Sequence, residues 1–125
     1  MAHILVVEDN PDNLKLFRAL LRRAGHEVVE LTSGDGLLAA IAAGPVDLVL
    51  MDIQLPGQDG FSLLREIRAS AWSRLPVVAL TAHAMAGDRE RAMDAGFDGY
   101  LTKPINIHTF SEQVAQTLAR QRREV

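Results

Sequence analysis

Carboxylates, a hydroxyl and an ammonium group follow four of the five short apolar runs in this chain of 125 residues. Glu8 and Asp9 follow the first run, Asp52 the third and Thr81 the fourth, and Lys103 comes two residues after the fifth. Brought together, these side chains suit phosphoryl transfer to a carboxylate. The cation and the hydroxyl would stabilise the transferring oxygens, and a carboxylate nucleophile would yield an aspartyl phosphate.

Three acids in one crevice need positive charge to balance them. Two carboxylates about 4 Å apart repel each other by about 4 kcal/mol at an effective dielectric constant of roughly 20. Lys103 supplies only one positive charge. A hard divalent cation could neutralise the remaining negative charge, and Mg²⁺ commonly binds through carboxylates, waters and a phosphoryl group. We therefore expect Mg²⁺ as the cofactor.

Short apolar runs alternate with longer helical stretches along the whole chain. Strands are predicted over residues 4–7, 27–31, 48–51, 77–80 and 99–101. Helices are predicted over residues 11–24, 61–69, 88–95 and about 107–122, and a short helix that ends at residue 43 is predicted between the second and third strands. Asn10 and Pro11 suit the cap and the first residue of the first helix. This alternation predicts an α/β fold with a parallel sheet covered on both faces, in one domain over residues 1–125.

The predicted sheet explains how distant residues could form one site. The carboxyl ends of parallel strands share one edge of an open sheet, and ligands bind there. Taken singly, each residue has a simpler interpretation: an acid after a strand is often a helix cap or a solvated loop residue, Thr81 suits a cap, and Lys103 suits an exposed surface. The chemical interpretation depends on all four segments meeting at that edge.

Composition excludes several classes of protein. Hydrophobic residues make up 48% and charged residues 23%, as in globular domains. The absence of cysteine excludes disulfides, thiolate nucleophiles and cysteine-ligated metal sites. A net charge of −3 gives no basic surface for direct nucleic-acid binding. No signal pattern or apolar run of roughly 20 residues is present, so we expect no membrane association and a cytoplasmic location.

Four segments together resemble the response-regulator receiver domain of two-component signalling. They are ILVVEDN at 4–10, LMDIQLPGQDG at 50–60, LTA at 80–82 and DGYLTKP at 98–104. The resemblance extends from Ile4 to about Ala119. It implies a flavodoxin-like (βα)5 doubly wound sheet with strand order 2-1-3-4-5, and a cis peptide between Lys103 and Pro104.

The resemblance also implies a role for each acid. Asp52 would be the phosphoacceptor. Asp9 and Asp52 would ligate Mg²⁺ directly, the backbone carbonyl of Gln54 would be a third ligand, and Glu8 would act through a metal-bound water.

The resemblance gives further roles to the residues around the phosphoryl group. Lys103 would pair with one phosphoryl oxygen, and the Thr81 hydroxyl and the Ala82 backbone N–H would bind others. Gln54 and His83 occupy positions that vary in the family and are candidates for tuning the phosphoryl lifetime.

The resemblance implies a switch and two kinds of partner. Tyr100 would turn inward when Thr81 moves with the phosphoryl group, which would alter the face formed by the fourth helix, fifth strand and fifth helix. A downstream protein would bind this face. The first helix carries a wide apolar arc, and Leu14 and Leu16 are candidate docking residues for a histidine kinase or a histidine phosphotransfer protein.

The expected function is a single-domain response regulator, not an enzyme with an external substrate. Residues 81–88 resemble stand-alone regulators of the DivK type and also receivers within hybrid histidine kinases, so an excised hybrid-kinase receiver is the alternative. A Mg²⁺-dependent phosphohydrolase is disfavoured because residues 8–10 read Glu-Asp-Asn rather than Asp-x-Asp, and no cap insertion is present. A nucleotide- or flavin-binding module is disfavoured because residues 8–11 contain no glycine.

Overall fold

The computed structural model describes residues 2–55, 57–82 and 86–123, with side chains described as far as residue 120. Five parallel strands form one sheet: β1 (His3–Val7), β2 (Glu27–Leu31), β3 (Leu48–Asp52), β4 (Val77–Thr81) and β5 (Gly99–Thr102). Five helices alternate with them: α1 (Pro11–Arg23), α2 (Leu37–Ala43), α3 (Gly60–Arg68), α4 (Asp88–Ala95) and α5 (Phe110–Arg123).

The strands lie in the order β2-β1-β3-β4-β5, which confirms the predicted topology. Every residue of β3 and β4 is buried, whereas the edge strand β2 is partly exposed. Strands buried on both faces of a parallel sheet are expected to be continuously apolar, as these are up to their final residues. Those final residues, Asp52 and Thr81, are polar and buried.

Two hydrophobic clusters cover the sheet. On one face α1 and α5 pack together, and the rings of Phe17 and Phe110 stack with centroids 5.6 Å apart. On the other face α2, α3 and α4 pack against the sheet, and Leu64 and Ile67 of α3 are buried in this cluster. The sheet therefore lies between two helical layers, and its carboxyl edge is left open for a site.

Local capping explains where two helices begin. The Asn10 side chain accepts hydrogen bonds from the backbone N–H groups of Asp12 and Asn13, which confirms the predicted start of α1. The last helix, predicted from about residue 107, begins three residues later, at Phe110. Asn106 causes the difference: its side chain accepts from the backbone N–H of His108, so a separate turn precedes the helix.

The loop after β3 contains a feature that the sequence did not predict, a two-residue antiparallel ladder between Gln54–Leu55 and Gln58–Asp59. The peptide between Lys103 and Pro104 is cis, as the resemblance implied. None of the helices in the described ranges is both long and apolar enough to cross a membrane.

Arg68, in the last turn of α3, joins several segments at the sheet edge opposite the site residues. Its guanidinium donates hydrogen bonds to the backbone carbonyls of Ser73, Leu75 and Gly96 and to the carboxylate of Asp98, at 3.2, 2.7, 2.8 and 2.9 Å. These contacts connect α3 to the segment before β4 and to the end of α4.

Replacing Arg68 with Met should destabilise the fold by about 2–4 kcal/mol, because several charge-assisted and carbonyl hydrogen bonds are lost at a partly buried position. Urea unfolding monitored by circular dichroism would measure the change. Arg65→Met on the same helix is the matched control, since the side chain of Arg65 makes an exposed hydrogen bond to the Ser62 hydroxyl. Equal unfolding midpoints for the two variants would contradict the role given to Arg68.

Candidate functional site

Three charged side chains meet where β1, β3 and β5 end. The Nζ atom of Lys103 lies 2.9 Å from Oε1 of Glu8 and 2.8 Å from Oδ2 of Asp52. Glu8 is fully buried, Asp52 is 2% exposed, and the Lys103 side chain is 14% exposed. The convergence predicted from strand ends is therefore present for these residues.

Backbone contacts fix the two buried acids. The N–H of Glu8 donates to the carbonyl of Leu31 at the end of β2, and the N–H of Asn10 donates to the Glu8 carboxylate at 3.2 Å. Oδ1 of Asp52 accepts from the N–H of Gln54 at 2.8 Å. Both carboxylates are thus held by donors on their own loops, as well as by Lys103.

Lys103 is positioned by the neighbouring strand. Its backbone N–H donates to the carbonyl of Thr81 at 2.7 Å, which continues the pairing of β5 with β4 beyond the last strand residue. The lysine stem then extends across the carboxyl edge of the sheet to reach the acids of β1 and β3.

Electrostatics within this group favour a charged lysine. Burial raises the pKa of the Glu8 carboxyl above its ordinary value, and the hydrogen bond from Lys103 only partly opposes this. Burial lowers the pKa of the Lys103 ammonium, but its hydrogen bonds to Asp52 and Glu8 outweigh burial, and the pKa is raised. Lys103 therefore remains a cation throughout the physiological pH range.

Asp9 completes an acidic cluster, defined here as Glu8, Asp9 and Asp52. One carboxylate oxygen from each lies within 4.8 Å of the others, and Asp9 is exposed while its two neighbours are buried. The donors are all oxygen atoms, the ligand type that Mg²⁺ prefers. This cluster could hold a metal ion at the mouth of an open cleft that Asn13 and Ala82 also line.

Gln54 and Ala82 are linked across the cleft. Ala82 is exposed directly after β4, and its backbone N–H donates to Oε1 of Gln54 at 3.4 Å. Thr81 is 1% exposed at the end of β4. The sequence identified these residues but not the contact between Gln54 and Ala82, nor the weak contact of Asn13 Nδ2 with Glu8 at 3.5 Å. His83 lies outside the described residues.

Gly60 packs closely against the loop that follows Asp52. A Cβ atom added at Gly60 would lie 2.5 Å from Cα of Ile53, the residue after Asp52. The N–H of Gly60 also donates to the carbonyl of Ile53 at 3.2 Å. Only a residue without a side chain permits this approach, so the start of α3 and the phosphoacceptor candidate are closely coupled.

Tyr100 lies on β5 and packs partly buried against the cluster formed by α2, α3 and α4. Its hydroxyl oxygen is buried and has no hydrogen-bond partner among the residues described. Burial raises the pKa of this hydroxyl, and the nearby Asp88 carboxylate adds to the effect.

The two candidate docking residues of α1 have different environments. Leu14 is 6% exposed and belongs to the hydrophobic cluster on the face that α1 and α5 cover, so little of its side chain is available, and its docking role stays a prediction. Leu16 is 38% exposed and remains available.

Comparison with known proteins identifies the family. Residues 4–115 match the response regulator receiver domain. The chain belongs to this family. Receiver domains serve as phosphoacceptors in two-component signalling. That one domain accounts for the whole range 1–125 stays a prediction.

Two kinds of relative resemble this receiver domain. It is 44% identical over 117 residues to the sensor protein GacS of Pseudomonas syringae pv. syringae, covering 89% of this chain and only 13% of GacS. It is 39% identical over 116 residues to the polar-differentiation response regulator DivK of Brucella ovis, covering 92% of this chain and 94% of DivK.

Solved structures agree with this assignment. A putative response regulator from Chloroflexus aurantiacus superposes with a TM-score of 0.87 at 30% identity, over 94% of this chain and 98% of that one. The receiver domain of the sensor histidine kinase PA1611 from Pseudomonas aeruginosa, solved with a magnesium ion in its active site cleft, superposes with a TM-score of 0.84 at 38% identity. This comparison also covers 94% of this chain and 98% of that one.

Replacing Gly60 with Ala should destabilise the receiver by about 1–3 kcal/mol, because the new methyl group must displace the backbone of Ile53. The same shift should weaken divalent-cation binding at Asp52. Thermal unfolding with and without Mg²⁺ would measure both effects.

Gly44→Ala provides the matched control, since nothing lies within 4 Å of a Cβ built there and the backbone is extended. We expect its stability to change by less than about 0.5 kcal/mol. A Gly60→Ala variant as stable and as responsive to Mg²⁺ as this control would contradict the tight packing on Ile53.

Proposed function

We propose that Asp52 accepts a phosphoryl group from a phosphohistidine of a histidine kinase or histidine phosphotransfer protein, with Mg²⁺ as cofactor. The observation that carries the proposal is the buried carboxylate of Asp52, which is held by Lys103 and lies within 4.8 Å of two further acids. Family membership and the relation to GacS, whose name describes a sensor protein, support this class of donor.

Asp9 and Asp52 would hold Mg²⁺ directly, together with the backbone carbonyl of Gln54, and Glu8 would act through a water. Bound Mg²⁺ would neutralise negative charge on the transferring oxygens. The all-oxygen donor set of the acidic cluster fits this ion.

In the transfer step, a carboxylate oxygen of Asp52 forms a bond to phosphorus while the bond between phosphorus and the donor imidazole nitrogen breaks. The electron pair of that bond goes to the imidazole. Lys103, already 2.8 Å from Asp52, would pair with a phosphoryl oxygen. The Thr81 hydroxyl and the Ala82 N–H would donate to others, and the Gln54 amide would have to leave the Ala82 N–H.

We propose that the phosphorylated receiver changes its protein contacts through Thr81 and Tyr100. The Tyr100 hydroxyl has no hydrogen-bond partner within the described ranges, so a second position with a partner would be favoured. The affected surface, formed by α4, β5 and α5, would bind a downstream protein.

The relatives support two settings for this receiver. Similarity to DivK over nearly the whole length of that regulator favours action as a single-domain response regulator without an external substrate. A receiver within a hybrid kinase is the less favoured alternative, which the 44% identity to part of the sensor protein GacS supports. The mass of the native protein in its source cell would distinguish the two.

Incubation with acetyl phosphate and Mg²⁺ should add one phosphoryl group to the wild-type protein, detected by intact mass spectrometry. Asp52→Asn should abolish the adduct because the nucleophile is lost. Asp59→Asn is the matched control, since the Asp59 carboxylate accepts from the N–H of Phe61 on the same loop and asparagine also caps helices. An adduct that persists in Asp52→Asn, or steady phosphate release from small phosphate esters, would reject the proposal.

Leu16→Asp should slow phosphoryl transfer from a protein donor about tenfold or more while leaving the rate with acetyl phosphate unchanged, because a charge would enter an apolar docking contact. Lys15→Asp is the control, since this neighbouring exposed position points about 100° away around the helix. Stopped-flow or gel-based transfer assays would give the rates. Equal slowing with both donors would show that Leu16 does not contribute to docking.

A further inference from the structure

Helix α4 buries few side chains against the rest of the receiver. Ala92 is the buried residue among its eight. Glycines in left-handed conformations flank the helix, with φ of 88° at Gly87 and 112° at Gly96. The hydrogen bond from Arg68 to the Gly96 carbonyl holds the C-terminal end. The position of the rest of α4 must therefore depend on a small number of contacts.

Phe61, in the first turn of α3, supplies two of those contacts. Its ring meets the ring of Phe97, two residues after α4, edge to face with centroids 5.5 Å apart. The guanidinium carbon of Arg91 lies 5.8 Å from the centroid of the Phe61 ring. These three residues, called here the Phe61 latch, place the middle of α4 and the segment after it against the start of α3.

The Phe61 latch is directly connected to the phosphoacceptor loop. Phe61 comes directly after Gly60, which lies so close to Ile53 that no methyl group fits between them. Ile53 comes directly after Asp52, and its N–H donates to the carbonyl of Leu80 in β4. Because Ile53 and Gly60 are in such close contact, a displacement of the backbone at Asp52 toward Gly60 would press on the start of α3.

We propose that Phe61 is a positioning residue that transmits the state of Asp52 to α4 through Ile53 and Gly60. This inference rests on the proposed phosphorylation of Asp52. The path is separate from that of Thr81 and Tyr100, because it runs through the loop after β3 and the first turn of α3. It couples the two sites by a contiguous series of packed groups.

The test compares amide chemical shifts of α4, residues 88–95, before and after addition of Mg²⁺ and beryllofluoride, a stable analogue of the phosphoryl group. In Phe61→Leu and in Arg91→Gln, the shift changes of α4 should fall by about twofold or more. Phe61→Tyr keeps the ring and should retain the wild-type response. Arg91 is suited to this test because its side chain is 73% exposed and its loss should not affect folding.

Arg89→Gln is the matched control: it removes the same charge from an exposed position of α4 that faces the groove between β5 and α5 instead. Its response should equal that of the wild type. Wild-type shift changes in both Phe61→Leu and Arg91→Gln would overturn the inference, as would an equal loss in Arg89→Gln.

Loading of the site, meaning the binding of Mg²⁺ and beryllofluoride, is measured in the same samples from the chemical-shift changes of the amides of residues 52–54. The inference requires that loading is unchanged in the variants while the response of α4 falls. If the wild-type amides at Asp52 do not respond, the proposed function fails. If they respond normally and α4 does not move, only the coupling through Phe61 fails.

Discussion

The rest of this site depends on the two ion pairs that the ammonium group of Lys103 makes with Glu8 and Asp52. Glu8 and Asp52 are both buried, so each loses hydration and each repels the other. The Nζ atom of Lys103 lies 2.9 and 2.8 Å from their carboxylates and offsets these costs with a single charge. The arrangement needs the ends of β1, β3 and β5 to be held in register, which the two fully buried strands β3 and β4 ensure. A loop-built site could not hold three charges at these distances without greater loss of conformational entropy.

One lysine does not balance three acids, and this imbalance determines the chemistry. Burial, with a smaller contribution from the charge of Asp52, raises the pKa of the Glu8 carboxyl, while Asp9 remains exposed to water at the mouth of the cleft. The negative charge left over favours a divalent cation, and such a cation also lets an anionic phosphoryl group approach a carboxylate. Lys103 thus explains how the fold tolerates two buried acids, and under the proposed function the same charge balance would suit Asp52 to accept a phosphoryl group.

Sequence patterns predicted the features that depend on chain order and missed those that depend on tertiary packing. Asp52 and Lys103 could be placed because the carboxyl ends of parallel strands share an edge. The apolar arc of α1 could not show that Leu14 is covered and Leu16 is more exposed, because only the packing of the folded helix decides which part of the arc is buried. The contact of Gly60 with Ile53 and the bonds of Arg68 join segments whose separation is known only after folding.

The receiver thus combines a rigid sheet with a loosely held helix. Reversing a population from 1:99 to 99:1 takes about 5.5 kcal/mol of differential stabilisation. A phosphoryl group brings roughly −1.5 to −2 charges and strong acceptors, so a few charge-assisted hydrogen bonds could supply this energy. That amount could not move β3 or β4, where every residue is buried. Moving α4 would need less energy, because this helix buries only Ala92 among its eight residues and is positioned in part by the contact of Arg91 with the Phe61 ring. Under the proposed function, the weak attachment of α4 would allow a local charge change at Asp52 to become a change of shape.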